Sequence, residues 1–152
     1  MTSTTTSMLD QFADIINNIP FNRIIGLKLD AIEADHIALT FTMKEELIGN
    51  YMHGILHGGV ISSVLDMAGG AAAMAAVIQK HPQQTFTELA GTLSKSSTIN
   101  MHIDFLQPGK GQHFRAKAWV LHSGTKITFT RMDLINNDDT LIATGSAAYR
   151  VG

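Results

Sequence analysis

The sequence predicts an α+β domain in which an antiparallel sheet wraps one long central helix. Three observations carry that expectation. The stretch from His57 to Ile78 is apolar on every face, with Asp66 its only acidic residue, so it reads as a helix enclosed by the rest of the chain. On both sides of it the hydrophobic period changes to two, as in strands with one buried face. Short turns join most of those strand-like runs, and strands joined in that way are antiparallel neighbours.

Residues 1–7 are a polar Thr/Ser tail, expected to be poorly ordered. Met8, Phe12, Ile15, Ile16 and Ile19 then recur at helical spacing opposite Asp10, Gln11, Asp14 and Asn17. This short amphipathic helix is ended by Pro20 and lids one edge of the core. Leu27, Leu29 and Ala31, followed by Ile37, Leu39, Phe41 and Met43, alternate around a turn at 33–36 and predict a β-hairpin. Residues 44–54 are a connection. The central helix runs to about Lys80, where His81-Pro82 stops it. Gly69, Gly70, Ala71, Ala72 and Ala73 thin its waist, which suits a helix wrapped on several sides.

Residues 83–97 admit two readings, a short helix on the weak periodicity of Phe86, Leu89 and Leu93, or a mobile loop. Four strands follow at 98–105, 112–122, 125–135 and 140–151, with turns at 108–111, 123–124 and 136–139; taken in order they form a meander. Residues 8–152 thus make a single domain without internal repeats.

With 152 residues the chain is long enough to bury about 70% of its unfolded surface. A net charge of −2 provides no electrostatic footprint for nucleic acid or an anionic membrane. The absence of cysteine excludes disulfides, thiolate metal sites and a cysteine nucleophile, and it fits a reducing, cytoplasmic location. The N-terminus lacks the basic and apolar regions of a secretory signal. Asp66 and four glycines argue against a membrane span in the one long apolar stretch.

Chemistry concentrates on that stretch. Asp66 has no cation near it on the helix, and an enclosed carboxylate is costly unless something uses it. Gly58 and Gly59 open the helix, where free amides and the helix dipole polarise a carbonyl. Gly58 and Asp66 are eight residues apart, about 12 Å along a helix. One carbonyl cannot meet both within a single chain. If both act on one bond, they come from two antiparallel helices across a two-fold axis, and the protein is at least a homodimer.

The run Leu56-His57-Gly58-Gly59-Val60-Ile61-Ser62-Ser63-Val64-Leu65-Asp66, preceded by Gly49-Asn50, resembles the HGG-x(6)-D signature of PaaI-type acyl-CoA thioesterases, which have the hotdog fold. Ile19-Pro20-Phe21-Asn22-Arg23, the run from Thr98 to Gly109 and the terminal Ala147-Ala148-Tyr149-Arg150-Val151-Gly152 are similar to the bacterial YigI-type medium- and long-chain acyl-CoA thioesterases. The resemblance implies roles residue by residue. Asp66 is the general base or a nucleophile, the Gly58 amide meets the thioester carbonyl, His57 orients that loop and the carbonyl, and Thr98 orients water. Asn50, Gly59, Ser62, Gly69 and Gly70 are the expected substrate contacts, with packing around Gly69, Gly70 and Ala73 setting the depth of an acyl tunnel. Many PaaI-type enzymes have Asn six residues before the motif histidine, where this chain has Tyr51; Asn50 is therefore either a carbonyl contact or a plain turn former.

The resemblance further implies a dimer or dimer of dimers, with coenzyme A as part of the substrate. No metal or redox cofactor is expected. His53 and His57 are interrupted by glycines, no Glu follows the first histidine, and no third ligand is evident. Two rivals share the fold: a non-catalytic acyl-CoA-binding module, and an enoyl-thioester hydratase, which needs an acid beside the histidine that His57 lacks.

Overall fold

The computed structural model describes residues 3–152, with side chains from Met8 onward. Met1 and Thr2 of the expected tail lie outside the described residues. Helix α1 spans Ser3–Asn18, so helical backbone begins inside the stretch read as a tail. Met8, Phe12 and Ile16, four apart, are its buried stripe.

Pro20 ends this helix and also begins another. Helix α2 spans Pro20–Ile25 with Pro20 in its first turn, where the missing N–H and fixed φ cost nothing, and Gly26 closes it in the left-handed region at φ 81°. The buried Asn22 amide donates to the Ile16 carbonyl at 2.8 Å, tying the two helices together. Pro20 is thus a helix start as well as the stop that the sequence predicts.

Strands β1 (Lys28–Ile32) and β2 (Ile37–Thr42) form the expected hairpin. The connection after it is more ordered than the sequence suggests. A 3-10 turn at Glu45–Leu47 leads into β3 (Ile48–Asn50), which pairs with β4 (Ile55–Leu56) directly before the central helix.

Helix α3 spans Gly58–Lys80. Val64, Leu65, Ala68, Ala71, Ala73 and Ile78 are fully buried along it, and each of the larger three contributes about 1.5–3 kcal/mol on transfer from water. By length and composition it is long and apolar enough to cross a membrane, yet two thirds of that stretch is buried inside the fold. Between 83 and 97 the helical reading holds. Helix α4 spans Phe86–Leu93 and starts with a capping box, the Thr85 hydroxyl accepting from the Glu88 amide at 3.2 Å while the Glu88 carboxylate accepts from the Thr85 amide at 2.9 Å.

The remaining strands are β5 (Ser97–Phe105), β6 (His113–Ser123), β7 (Ile127–Asn136) and β8 (Leu141–Arg150). The six-stranded sheet runs β1-β2-β6-β7-β8-β5 with antiparallel neighbours throughout, and it wraps α3. Only β6, β7 and β8 form a meander. Among the described residues strand β5 pairs with β8 alone and ends the sheet, which corrects the expected four-strand meander. Three strand spacings of about 4.8 Å separate β5 from β6, and seven linking residues reach roughly 23 Å, so a short link does not force adjacency. The link instead wraps the β7–β8 turn, where the Asn136 amide donates to the Lys110 carbonyl at 2.8 Å and the Gln112 amide to Asn137 Oδ1 at 2.8 Å.

Candidate active site

The start of α3 is built by a histidine cap. His57 has an extended backbone (φ −63°, ψ 137°), and its Nδ1 accepts from the Gly59 amide at 2.7 Å. In the neutral ring the proton therefore sits on Nε2. A Cβ on Gly59 would lie 2.9 Å from His57 Nδ1, so the ring needs glycine beneath it. The cap consumes the Gly59 amide, and of the two amides expected to be free only that of Gly58 remains without a side-chain acceptor. His57, Gly58 and Gly59 are all exposed. The space above Gly58 is bounded by Phe105 of β5, whose ring edge would meet a Cβ there at 3.6 Å.

Asn50 and Ser62 face local backbone. Asn50 Oδ1 accepts from the Met52 amide at 3.1 Å and shapes the turn. The Ser62 hydroxyl donates to the Gly59 carbonyl at 3.1 Å, as does that of Ser63 at 2.7 Å.

Two turns further along α3, Asp66 stands half-buried on a cleft wall, in contrast to the full enclosure its sequence context suggests. The Thr98 hydroxyl donates to Asp66 Oδ1 at 2.8 Å. The Tyr149 hydroxyl, a single donor, lies 3.1 Å from the same Oδ1 and 2.9 Å from the Asp66 backbone carbonyl. Burial, reinforced by the Asp66 charge, pushes the Tyr149 phenol far above its usual range, so it remains a donor.

The cleft encloses about 330 Å³. Asp66, Thr98 and Tyr149 line it together with Ser63, Met67, Gly70 and Met74 on the same stripe of α3, Ile19 and Phe21 at the start of α2, and Leu93 of α4. Gly69 is not part of that wall. A Cβ there would overlap Tyr149 Oη and meet Thr130 Oγ1 at 2.9 Å and Met132 Sδ at 3.0 Å, so Gly69 faces the sheet and makes room for the phenol. The two waist glycines thus have different neighbours.

The structure gathers Asp66, Thr98 and Gly70 in one cleft and leaves His57, Gly58, Gly59 and Asn50 outside its walls, at the other end of two helical turns. Among the described residues no three or more His, Asp or Glu side chains are grouped as a metal site. Sequence reasoning missed Tyr149 as a partner of Asp66. The available signal was an aromatic amid the small inward residues of the last strand, and nothing local reveals what it touches across 83 residues.

The chain's relatives agree with this architecture. A family model described as the thioesterase superfamily matches residues 53–143. The medium/long-chain acyl-CoA thioesterase YigI of Salmonella typhimurium is 37% identical over 137 residues, covering 90% of this chain and 88% of that protein. Its Escherichia coli K12 counterpart is 36% identical with the same coverage. Among solved structures, a thioesterase-superfamily protein of Shewanella oneidensis superposes with a TM-score of 0.92 at 36% identity, covering 97% of each chain. A protein of Syntrophus aciditrophicus, also 36% identical, superposes at 0.85 with the same coverage. With the wrapped helix, the His57-Gly58-Gly59 start and Asp66 in their expected places along α3, the chain belongs to the thioesterase superfamily.

Proposed function

We propose that the protein hydrolyses acyl-coenzyme A thioesters, of medium to long chain as in the YigI relatives, at a site shared between two copies of the chain. The observation that carries this reading is Asp66, a half-buried carboxylate at the head of an apolar cleft, with Oδ1 accepting from the Thr98 hydroxyl and lying 3.1 Å from that of Tyr149. A carboxylate held in this way acts as a base toward water, and the cleft beside it takes the acyl chain. From Asp66 to Met74 the cleft wall extends about 12 Å along α3, and its methionines adapt to a flexible chain.

The thioester carbonyl also needs a donor. The Gly58 amide is open, but its own Asp66 is about 12 Å away, so the donor comes from a second copy. The edge of β5 supports such pairing. It is nine residues long, its outer side has no strand neighbour among the described residues, and Ile99, Phe105 and Leu106 are exposed along and just beyond it. A two-fold axis near Met101 and His102 brings Phe105, beside Gly58, toward Thr98, beside Asp66, of the other copy. Each of the two sites then draws its amide from one chain and its carboxylate from the other.

In this arrangement Asp66 accepts a proton as water attacks the carbonyl carbon. The Gly58 amide and the α3 dipole hold the resulting oxyanion. The C–S bond breaks, and the proton passes to the departing coenzyme A thiolate. Thr98 holds the carboxylate while its hydroxyl oxygen can still accept from water. His57 keeps the Gly59 amide engaged and the helix start fixed.

The test is thiol release from a panel of acyl-CoAs, followed by mixing of variants. Asp66→Asn is expected to lower kcat about 10²- to 10⁴-fold, as on loss of a base. Gly58→Pro removes the amide, and the extended backbone of His57 already suits a following proline. Each variant alone is expected to be nearly inactive. A reassociated 1:1 mixture recovers about a quarter of wild-type turnover, because half the dimers are mixed and each holds one intact site. No recovery despite subunit exchange refutes the shared site, and acyl-CoA binding without any thiol release refutes the enzyme.

A further inference from the structure

Tyr149 is 2% exposed, wedged between α3 and the sheet. Its hydroxyl is one of two that reach Asp66 Oδ1, the other being that of Thr98, while Oδ2 accepts from neither. The phenol also lies 2.9 Å from the Asp66 backbone carbonyl, so its one proton is shared between the main chain and the side chain of the acid. The helix is shaped to admit it, because any side chain at Gly69 would occupy the space of Tyr149 Oη. The donors come from neighbouring strands, where Thr98 of β5 and Tyr149 of β8 are cross-strand partners on one face of the sheet. Two donors converging on one oxygen fix the rotation of a carboxylate and so fix the direction of the other oxygen.

We propose that Tyr149 is a positioning residue which, with Thr98, pins Oδ1 of Asp66 and leaves Oδ2 as the oxygen that meets the attacking water. The proposal rests on the thioesterase reading above and adds to it the assignment of the reacting oxygen and of the group behind it. Tyr149 touches neither water nor thioester in this scheme, and it acts only through Asp66.

Steady-state kinetics on the full chain test it, with the affinity of a non-hydrolysable thioether analogue of an acyl-CoA measured in parallel. Tyr149→Phe keeps the ring and removes the donor. It is expected to lower kcat about 10- to 100-fold, as for a lost hydrogen bond to a charged group, with KM and analogue Kd within about twofold of wild type. In an Asp66→Asn background the same substitution is expected to cause no further loss, since there is no carboxylate left to orient. Thr98→Val, at an exposed strand position that does not threaten folding, tests the same pin, with the same fall in kcat at unchanged KM expected. Unchanged kcat in Tyr149→Phe or in Thr98→Val overturns the proposal. So does an equal loss from Tyr149→Phe in both backgrounds, or a loss carried by KM and analogue Kd, which is the mark of a merely structural role. A wild-type chain that releases no thiol from any acyl-CoA fails the thioesterase reading itself, and the proposal falls with it; an active wild type with an unaffected Tyr149→Phe fails the proposal alone.

Discussion

Helix α3 carries two Gly-Gly pairs, Gly58-Gly59 at its start and Gly69-Gly70 at its waist, and they divide their work in the same way. In each pair one glycine makes room for a side chain that organises the site. Gly59 lies under the His57 ring and Gly69 under the Tyr149 phenol, and a Cβ at either would come within 3 Å of that group. The other member leaves room for a methyl group. A Cβ on Gly58 would sit 3.6 Å from Phe105, and one on Gly70 would sit 3.4 Å from the Tyr149 ring, both ordinary contacts. Identical dipeptides therefore differ in what a methyl group costs, and the difference tracks how closely each glycine underlies the His57 ring or the Tyr149 hydroxyl.

Substitutions at these glycines break or sharpen that contrast. The largest effect is expected at Gly58, where what matters is the amide and not the missing side chain. Gly58→Pro should reduce kcat about 10²- to 10³-fold, the usual consequence of losing an oxyanion donor, whereas Gly58→Ala keeps the N–H and should stay within a few-fold of wild type. Equal loss in both variants, read from thiol release, would place the importance of Gly58 in its shape. Next comes Gly69→Ala. Overpacking against Tyr149, Thr130 and Met132 costs about 1–3 kcal/mol, partly offset by up to about 1 kcal/mol of helix propensity. A Tm lower by a few degrees is expected, together with reduced kcat as the phenol is displaced. A stabilised, fully active Gly69→Ala would contradict the fit around Tyr149. The smallest effect is expected at Gly70. Gly70→Ala gains about 0.5–1 kcal/mol of helix propensity and should raise Tm slightly. Its methyl group narrows the cleft, so kcat/KM for long acyl chains should fall several-fold relative to short ones. A uniform change across chain lengths would show that Gly70 does not border the acyl path.

Much of the fold was legible because periodicity is local. The apolar run marked α3 between Gly58 and its stop at His81-Pro82, and alternation marked the strands of the sheet. Two further features have local sequence signals. Pro20 suits the first turn of a helix as well as the end of one, and Thr85 with Glu88 spells the capping box of α4. The place of β5 at the sheet edge was not legible, since a seven-residue link permits adjacency as well as a passage around the β7–β8 turn.

The site divides along the same line. The sequence by itself determined the acid on an apolar helix, the glycine start, their eight-residue spacing and, from that spacing, the expectation of two copies. Those follow from the identity and rise of neighbouring residues. Only the tertiary structure decided that His57 takes the Gly59 amide and leaves that of Gly58, that Gly69 serves Tyr149 while Gly70 lines the cleft, and that Thr98 and Tyr149 meet one oxygen of Asp66. Thr98 lies 32 residues from Asp66 and Tyr149 lies 83, and contacts at such separations depend on strand order and register, which no local pattern encodes.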